Sequence, residues 1–409
     1  MPTSVLPEFQ QRGLVADVTS PGELDAHLGQ ASRMVYVGFD PTADSLGVGN
    51  LVPLLGLRRF QLAGHRPIVL VGGGTGLVGD PAGKTGERAL NPEDHVAAFA
   101  ERMKAQVRPF LDFDRGPHAA ILVDNYEWLS KLSLIPFLRD SGKHFGVGAM
   151  VARESVRARL GTGLSFTEFS YQELQAYDFL ALHERYGCTI QMGGSDQWGN
   201  ITAGTELIRK ARGADAFGLT LRLVTKSDGS KFGKSEAGNV WLDPARTSAY
   251  EMYQFWLNTT DADVVTHLNT FTFLPVEEIT ALAQQTAQAP EKREAQRVLA
   301  REVTRLVHGD DGLRAAEART AALFGGSGQQ AGAPDAVLQA DGPAPLWKVL
   351  KDAGFVPSTS EARRLIQQGG VEVDGEKVTD LAETAGAGAH TVKLGKRRIY
   401  RVILEGPTV

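Results

Sequence analysis

The chain has 409 residues, of which 42% are hydrophobic and 22% charged, and its formal net charge is −5. These values predict a globular protein of two or three domains and argue against a general nucleic-acid coat, although they permit a local basic patch. The single cysteine, Cys188, excludes an internal disulfide and argues against a cysteine-based zinc site. The N-terminus lacks a signal-peptide pattern and no apolar run reaches the ~18 residues of a membrane span, so we expect a cytoplasmic protein without membrane contact.

The first predicted unit is a strand, a loop and a helix. After a helical lead-in over residues 1–33, a buried strand begins at Met34 and breaks at Asp40-Pro41. A helix follows from about Leu51 to Gly64, where the glycine suits a C-cap. The loop therefore faces the unpaired amides and the positive dipole end of a helix N-terminus, where phosphate binds readily.

Short apolar runs then alternate with helical patterns. Pro67–Gly72 predicts a second strand, so that two strands and the helix between them make a βαβ unit. Similar apolar runs cover Ala119–Val123 and Thr189–Met192. The alternation predicts an α/β fold with a parallel sheet, in which loops at the carboxyl ends of the strands build the site.

Helical windows replace this alternation from about Pro244. One of them, EKREAQRVLAREVTRLVHG, has an apolar face and a stop at Gly309. The stretch from Gly325 to Asp341 is rich in Gly, Ala and Gln. It predicts a linker between the helical region and the tail of the chain.

The tail from about Ala344 predicts a small unit of its own. Ser358 and Glu361 predict a capping box, and the segment from Val371 to Gly375 predicts a strand and a turn. Ten basic and eight acidic residues give the tail a charge of +2, whereas the rest of the chain carries −7. Its basic residues cluster, which predicts RNA binding, with a solvated charged face as the alternative. The clustered residues are Arg363, Arg364, Lys396, Arg397 and Arg398.

Two glycine-rich motifs follow the second strand. Gly74–Gly79 matches the dinucleotide fingerprint GxGxxG, which makes an NAD-dependent oxidoreductase one hypothesis. The acid that should hold the ribose would be Asp94 or Glu101, and both fall in a helical pattern instead of at a strand end. Gly83-Lys84-Thr85 resembles the end of a P-loop, but Val78 stands where the first glycine should be.

Two cationic segments are candidates for contact with a polyphosphate. Lys84 and Arg88, at i and i+4, can present two cations from one face. The loop Lys226–Ser235 has three lysines separated by Gly and Ser, which suits a loop that closes over phosphates. A solvated loop is the alternative for both segments.

The helical stretch Ser165–Phe179 carries polar residues that need a role. Tyr171, Gln175 and Asp178 stand at i, i+4 and i+7 and project from one face. They predict either a partly exposed polar stripe or the floor of a pocket that binds the polar groups of a small ligand. Asp196, just after a strand end, is placed to bind a ribose hydroxyl.

Five segments in a fixed order resemble the bacterial tyrosyl-tRNA synthetases, which are class I aminoacyl-tRNA synthetases. They are YVGFDPTADSLGVGN, GGGTGLVGDPAGKTGER, SFTEFSYQELQAYDF, GGSDQWGNITAG and KFGKS. The resemblance implies an α/β fold class, with a Rossmann-like parallel-sheet catalytic domain, an α-helical anticodon-binding domain and a small α+β RNA-binding domain of the ribosomal small-subunit protein type. The implied boundaries are 1–225 for the catalytic domain, 226–243 for a mobile KMSKS-type loop and connection, 244–324 for the helical domain, 325–343 for a flexible linker and 344–409 for the RNA-binding domain.

The resemblance also implies an activity and its partners. The chain would be a tyrosine–tRNA ligase that joins L-tyrosine to ATP, releases pyrophosphate, and transfers tyrosine to the 3'-terminal adenosine of tRNA(Tyr). It would act as a homodimer. Mg²⁺ would arrive on ATP, and no metal or organic cofactor would be held by the protein itself.

The family's site residues carry over position by position. Tyrosine would be bound by Tyr36, Asp40, Asp80, Tyr171, Gln175, Asp178 and Gln197, with Tyr36 and Asp178 on its phenol oxygen. ATP would be bound by Gly38, Asp40, Thr42, Gly49, Asn50, Gly194, Asp196, Lys231 and Lys234. Catalysis would depend on Thr42, Gly47, Asn50, Lys84, Arg88, Lys231, Lys234 and Ser235.

One segment departs from the family pattern. The family's His-Ile-Gly-His signature is here Gly47-Val48-Gly49-Asn50. Asparagine can still donate a hydrogen bond to phosphate or ribose, whereas glycine offers only its backbone amide. Loss of one transition-state donor typically costs about 3 kcal/mol, or about a hundredfold in rate. An alternative to the active ligase is therefore a form that binds tyrosyl ligands and RNA but activates tyrosine weakly.

Overall fold

The computed structural model describes residues 2–406, apart from 83–90, 115, 154–155, 158–160, 162, 226, 228–231, 236–237, 325–335, 341, 357 and 396–397. At residues 234–235, 323–324 and 398 it describes the backbone alone. The chain divides into two compact units, Met1–Arg314 and Ala315–Val409. Across the described ranges, no helix has the length and apolar character needed to cross a membrane.

A six-stranded sheet organises the first unit. Its strands are β1 (Val15–Val18), β2 (Met34–Phe39), β3 (Arg66–Val71), β4 (Ile121–Asp124), β5 (Ile190–Gly194) and β6 (Phe217–Leu221). Their order across the sheet is β1-β6-β5-β2-β3-β4, and all neighbours are parallel except β1, which runs antiparallel to β6. The predicted parallel α/β sheet is therefore confirmed.

Continuous apolar runs form the central strands because both faces of a parallel sheet are covered. In β3 every residue from Pro67 to Val71 is buried, and in β6 the whole strand is buried. The chain order reverses between β2 and β5, because β3 and β4 lie on one side of β2 and β5 and β6 on the other. Open α/β sheets bind ligands at the carboxyl ends of the strands at such a point.

The N-terminal residues differ from the prediction. Residues 1–33 were expected to be a helical lead-in, but β1 (Val15–Val18) separates helix α1 (Leu6–Gln11) from helix α2 (Pro21–Gln30). This strand forms because it pairs with β6, where Asp17 N donates to Thr220 Oγ1 at 3.0 Å. Four residues carry too little periodicity to reveal a strand whose partner lies some two hundred residues away.

Helices surround the sheet and continue beyond it. The next helices are α3 (Leu51–Leu62), α4 (Glu93–Val107), α5 (Tyr126–Leu129), α6 (Leu134–Asp140), α7 (Val147–Val151), α8 (Phe166–Phe169), α9 (Tyr171–Tyr186) and α10 (Trp198–Arg212). After a two-stranded hairpin of β7 (Lys234–Ser235) and β8 (Gly238–Asn239) come α11 (Ala249–Leu257), α12 (Asp261–Phe271), α13 (Val276–Gln288) and α14 (Glu294–Phe324). The expected break at Gly309 is confirmed, because this residue has φ 71° and ψ −179° inside α14.

The second unit contains a five-stranded sheet and two helices over its own apolar core. The sheet order is β12-β11-β14-β15-β9, with β11 (Val371–Val373), β12 (Glu376–Val378), β14 (Gly388–Leu394), β15 (Arg398–Glu405) and β9 (Ala336–Gln339); a small pair joins β10 (Ala344–Pro345) to β13 (Thr384–Ala385). Helices α15 (Leu346–Asp352) and α16 (Thr359–Gln367) complete the unit. Strand β9 lies within the stretch predicted as a linker and pairs in parallel with β15.

The local signals of the tail are reproduced. Ser358 Oγ accepts a hydrogen bond from Glu361 N at 3.2 Å and so caps α16. Asp374 and Gly375 both have positive φ, 51° and 90°, as a tight turn between two antiparallel strands requires. The expected strand, turn and capped helix are thus confirmed.

Candidate functional site

A cavity of about 280 Å³ opens at the carboxyl ends of β2 and β5. This is the place where the strand order reverses, as the predicted fold requires. The predicted residues that line it are Tyr36, Gly38, Asp40, Asn50, Asp80, Tyr171, Gln175, Asp178, Gly194, Asp196 and Gln197. Helix α9 presents Tyr171, Gln175 and Asp178 to the cavity together, so the pocket-floor interpretation of their spacing is confirmed.

The apolar end of the cavity holds a phenol and a carboxyl group. Tyr36 is 1% exposed and its ring packs edge-on against Phe179, with 5.2 Å between the ring centroids. Its hydroxyl has no hydrogen-bond partner among the residues that the structure describes. Asp178 is 2% exposed and accepts two hydrogen bonds, from Trp128 Nε1 to Oδ1 at 2.7 Å and from Asn125 Nδ2 to Oδ2 at 2.9 Å.

Burial controls the protonation of this pair. Removal from water raises the pKa of Asp178 to about 8, although the hydrogen bonds from Asn125 and Trp128 favour the ionised form. Burial, with Asp178 beside it, also raises the pKa of Tyr36 well above its usual value. The Tyr36 phenol therefore stays protonated at neutral pH and can donate a hydrogen bond to a ligand that enters the cavity.

A chain of hydrogen bonds links Asp178 to the rest of the site. Asn125 Nδ2 also donates to Thr75 Oγ1 at 2.9 Å, and Thr75 Oγ1 donates to Asp40 Oδ1 at 2.7 Å. The Tyr171 hydroxyl donates to Asp40 Oδ2, also at 2.7 Å. These bonds fix the orientation of both carboxyl groups before any ligand binds, because each acceptor oxygen is held by a donor on a different element.

The glycines after β3 allow these carboxyl groups to approach. A Cβ atom on Gly72 would lie 2.0 Å from Asp40 Oδ1, and a Cβ atom on Gly73 would lie 2.3 Å from Asp124 Oδ1. The glycine run therefore makes room for protein carboxylates. Asp94 and Glu101 lie inside α4, as their pattern indicated, so the strand-end acid that a dinucleotide site requires is missing at both candidate positions.

The polar end of the cavity is built around Asp80. Gln197 Nε2 donates to Asp80 Oδ2 at 2.8 Å, and the Ala82 amide donates to Asp80 Oδ1 at 2.9 Å. Asn200 Nδ2 in turn donates to Gln197 Oε1 at 3.1 Å and so holds that side chain in place. Asp80 and Gln197 thus present a carboxylate and an amide to the cavity in positions fixed by hydrogen bonds.

The Gly47–Asn50 segment borders the cavity through one side chain. The Gly47 amide donates to Asn50 Oδ1 at 3.1 Å, which turns the Asn50 Nδ2 group towards other partners. Val48 N donates to Val240 O at 3.0 Å, and Gly47 forms a bridge with Trp241. Thr42, Gly47 and Gly49 are outside the cavity lining, so among the predicted residues of this segment only Asn50 reaches it.

Several predicted residues cannot be placed in the site. Lys84, Arg88, Lys231, Lys396 and Arg397 lie outside the described residues. Lys234 and Ser235 form strand β7, and Arg398 begins strand β15.

The two arginines on α16 are exposed in the second unit. The Arg363 guanidinium stacks 4.5 Å from the centre of the Trp347 ring. Arg364 pairs with Glu361 on its own helix at 2.6 Å. Arg363 is therefore presented by an aromatic platform, an arrangement that keeps a cation available at a surface.

Sequence reasoning missed four residues that complete the site. They are Thr75, Asn125, Trp128 and Gln191. Asn125 directly follows β4, a position at the carboxyl edge of the sheet that could have identified it. No local pattern marks the others, because Trp128 resembles a core residue and Gln191 is a polar residue inside an apolar strand.

The described residues contain no group of three or more His, Cys, Asp or Glu side chains arranged to hold a metal ion.

Comparison with known proteins assigns the family. The profile of "tRNA synthetases class I (W and Y)" matches residues 30–325, and that of the S4 domain matches residues 345–390. The tyrosine–tRNA ligase of Bacillus caldotenax is 52% identical over 97% of this chain and 99% of its own length, and that of Geobacillus stearothermophilus is 51% identical over the same shares. A truncated mitochondrial tyrosyl-tRNA synthetase of Aspergillus nidulans superposes with a TM-score of 0.71 at 31% identity, over 78% of this chain and 94% of its own.

The identity extends over both compact units, and the resemblance seen in the five sequence segments is confirmed. The class I profile covers strands β2 to β6 of the sheet, the residues that line the cavity and the helices from α3 to α14. The chain therefore belongs to the bacterial tyrosyl-tRNA synthetases of class I, with a C-terminal S4 domain.

Proposed function

We propose that this chain is a tyrosine–tRNA ligase that forms tyrosyl-adenylate from L-tyrosine and ATP and then transfers tyrosine to the 3'-terminal adenosine of tRNA(Tyr). One observation carries the proposal: the buried Tyr36 phenol, which has no hydrogen-bond partner in the part of the chain that the structure describes, stands beside the buried carboxyl group of Asp178 in the cavity. The high identity to tyrosine–tRNA ligases over nearly the full chain supports the same reaction.

The two groups suit a phenol-bearing ligand. The substrate hydroxyl would accept from the Tyr36 phenol and donate to Asp178, which leaves neither group unsatisfied. Phenylalanine would leave the buried Tyr36 hydroxyl without an acceptor and would give Asp178 no donor beyond Asn125 and Trp128, which is costly. The site would therefore reject phenylalanine, and tyrosyl-tRNA synthetases are the standard example of this discrimination.

The other end of the substrate would meet the polar end of the cavity. Asp80, Tyr171 and Gln175 would bind the ammonium group, because two of them expose oxygen acceptors and Asp80 carries a charge. The Gln197 amide would donate a hydrogen bond to the carboxylate, and Asp40 would hold Tyr171 in place by accepting from its hydroxyl. The hydrogen bond of 2.8 Å from Gln197 to Asp80 holds both of these side chains in position without a ligand.

ATP would lie across the strand ends. We assign the adenosine to Gly38, Gly49, Gly194 and Asp196, and the phosphates to Thr42, Asn50, Lys84, Arg88, Lys231, Lys234 and Ser235. The side chains of the last five lie outside the described part of the chain. A tyrosine carboxylate oxygen attacks the α-phosphorus, the bond from that phosphorus to the bridging oxygen breaks, and pyrophosphate leaves with the electron pair. The protein supplies no nucleophile and stabilises the charge on the leaving group. Mg²⁺ would accompany ATP as part of the substrate.

The second unit is proposed to hold tRNA. It matches the S4 domain and displays Arg363 on the exposed face of α16. Arg364, Lys396, Arg397 and Arg398 would add phosphate contacts, with residues 244–324 on the anticodon. Such contacts weaken as salt rises because each one releases a counterion from RNA.

A homodimer is proposed on the exposed apolar surface of α6. Leu134, Ile135 and Leu138 are 69%, 71% and 49% exposed, and i, i+1 and i+4 lie on one face of a helix. Three large aliphatic side chains on one short helix are costly to leave in water and typical of an interface. Sedimentation of the full chain tests this, with a monomer at micromolar concentration as the contrary result. We also propose that the protein acts in the cytoplasm.

A second candidate function rests on Gly47 and Asn50. Without a side-chain donor at position 47, the chain could bind tyrosine and RNA yet activate tyrosine slowly. Tyrosine-dependent exchange of labelled pyrophosphate into ATP distinguishes the active ligase from this binding form. Exchange above background supports the ligase, whereas no exchange in a protein that still binds tyrosine and tRNA supports the binding form.

Variants of the pocket test the assignment of tyrosine. Asp178→Asn and Tyr36→Phe should raise the KM for tyrosine in the exchange assay, by about tenfold or more for Asp178→Asn. Tyr36→Phe removes a donor, and Asp178→Asn replaces an acceptor oxygen with an NH2 group in a place where Asn125 and Trp128 already donate. Tyr177→Phe is a matched control, since Tyr177 is half-buried on the same helix outside the cavity lining. An unchanged KM in Asp178→Asn would contradict the placement of the phenol.

A further inference from the structure

An aromatic cluster joins the KFGKS segment to the helices that follow it. The Phe232 ring lies 5.3 Å from the Phe271 ring and nearly parallel to it, with an interplanar angle of 17°. It also lies 5.2 Å from the His267 ring and 5.8 Å from the Trp256 ring. Trp256 and Phe271 are fully buried, so Phe232 inserts into an existing core between α11 and α12.

Helix α12 contacts the same segment at a second point. Ser227 donates to Asp263 twice, from its amide to Oδ1 at 3.0 Å and from its hydroxyl to Oδ2 at 3.1 Å. Asp263 lies in the first turn of α12 and Phe271 is its last residue. One helix therefore fixes both Ser227 and Phe232, five residues apart in the sequence.

The residue after Phe232 lies against the Gly47–Asn50 segment. A Cβ atom on Gly233 would come within 3.3 Å of Val48 Cγ2, and its φ of +81° favours glycine. Gly233 O accepts from Val240 N at 2.9 Å, and Val240 O accepts from Val48 N at 3.0 Å. Gly233 is thus connected through Val240 to the segment that carries Asn50 into the cavity.

Helix α12 is also fixed to α3, which begins directly after Asn50. The buried Arg59 of α3 donates to Thr272 O at 2.7 Å and to Asn269 O at 3.3 Å at the end of α12. The segment around Phe232 and the segment Val48–Asn50 meet at Gly233 and Val48, and helix α12 therefore supports both of them. A shift of α12 would move both, whereas loss of the Phe232 ring would release only one.

We propose that Phe232 is a positioning residue for tyrosine activation, whose ring sets the place of the following residues against Val48–Asn50. The inference rests on the proposed function, because Lys231 and Lys234, its neighbours in the sequence, are the proposed phosphate ligands. Helices α11 and α12 then influence the first reaction step through an apolar contact, without touching substrate.

Two variants and one control test this role in the full chain. Phe232→Ala should lower kcat for pyrophosphate exchange about tenfold or more, because it removes the ring contacts that hold the following residues against Val48–Asn50. The KM for tyrosine should stay within about twofold, because the ring does not line the cavity. Phe232→Leu should recover most of the rate. Phe113→Ala is the control, because Phe113 is also half-buried and packs on Arg108 outside the cavity lining.

Tryptic cleavage after Lys231 and Lys234 tests the anchor independently of activity. Phe232→Ala should be cut there at least several times faster than wild type, and Phe113→Ala at the wild-type rate. Equal cleavage in Phe232→Ala and wild type, or a loss of exchange no greater than in Phe113→Ala, would overturn the inference. If the wild-type protein shows no pyrophosphate exchange but Phe232→Ala is still cut faster than wild type, the proposed function is refuted. The role of Phe232 in holding its segment in place then stands.

Discussion

Replacing Gly47 by histidine tests the one segment in which this chain departs from its family. Gly47 has φ −88° and ψ 166°, an extended conformation open to any residue. A Cβ atom there would meet Val240 O at 3.5 Å, which is ordinary van der Waals contact. The free energy of unfolding should therefore change by no more than about 0.5 kcal/mol in Gly47→His.

In Gly47→His, kcat for pyrophosphate exchange should change far more than the free energy of unfolding. The Gly47 amide donates to Asn50 Oδ1 at 3.1 Å, and Asn50 lines the cavity, so a side chain at 47 starts beside the proposed phosphate site. One well-placed donor to the leaving pyrophosphate is worth about 3 kcal/mol, or about a hundredfold in kcat. Pyrophosphate exchange at saturating tyrosine measures this gain.

Gly47→Ala is the matched control, because it adds the Cβ atom without a donor. We expect Gly47→His to exceed it by at least tenfold in kcat, with similar midpoints of urea unfolding. Equal rates in the two variants would refute the reasoning. That result would mean that Asn50 and the backbone amides already supply the stabilisation assigned to the missing side chain.

Three further predictions concern the buried network and the second unit. Because burial raises the pKa of Asp178 from 3.8 to about 8, the folded state keeps a proton that the unfolded chain has lost between these values. Stability in urea should fall as pH rises across this window, and Asp178→Asn should flatten the fall. Asn125→Ala should cost about 1–3 kcal/mol in urea unfolding, since it removes the donor to Asp178 and Thr75; an unchanged midpoint would contradict this. Deletion of residues 344–409 should leave pyrophosphate exchange within about twofold but lower tRNA charging about tenfold or more, and equal losses would argue against a separate RNA-binding role.

The sequence predicted the parts of the fold whose signals are local. The strand at Met34–Phe39 and the helix from Leu51 have the expected bounds, because one is a short apolar run and the other has helical spacing with a terminal glycine. Strand β1 was missed because pairing with β6 decides its conformation. Periodicity in a single segment carries no information about such a distant partner.

Some residues of the site could likewise be predicted from local sequence, whereas others could not. Tyr171, Gln175 and Asp178 could be grouped from spacing alone, since a helix places i, i+4 and i+7 on one face. Asn125 and Trp128 come from the loop and helix after β4, and only the order β2-β3-β4 brings them within reach of Asp178 on α9. Their role depends on how strands are ordered across the sheet, which no short segment of sequence records.

Hydrogen bonds connect the separate segments from which the pocket is built. Asp178 needs hydrogen-bond donors because a buried carboxyl group without them would be strongly disfavoured. Asn125 Nδ2 can donate to both Asp178 and Thr75 only if the Asn125 side chain is held in one orientation. The Gly74 amide holds it by donating to Asn125 Oδ1 at 2.7 Å. Each bond thus limits the rotation of the next group along the chain from Asp178 to Tyr171. A substitution at Asn125 should accordingly disturb both the phenol contact proposed for Asp178 and the ammonium contact proposed for Tyr171, although Asn125 itself is not part of the cavity lining.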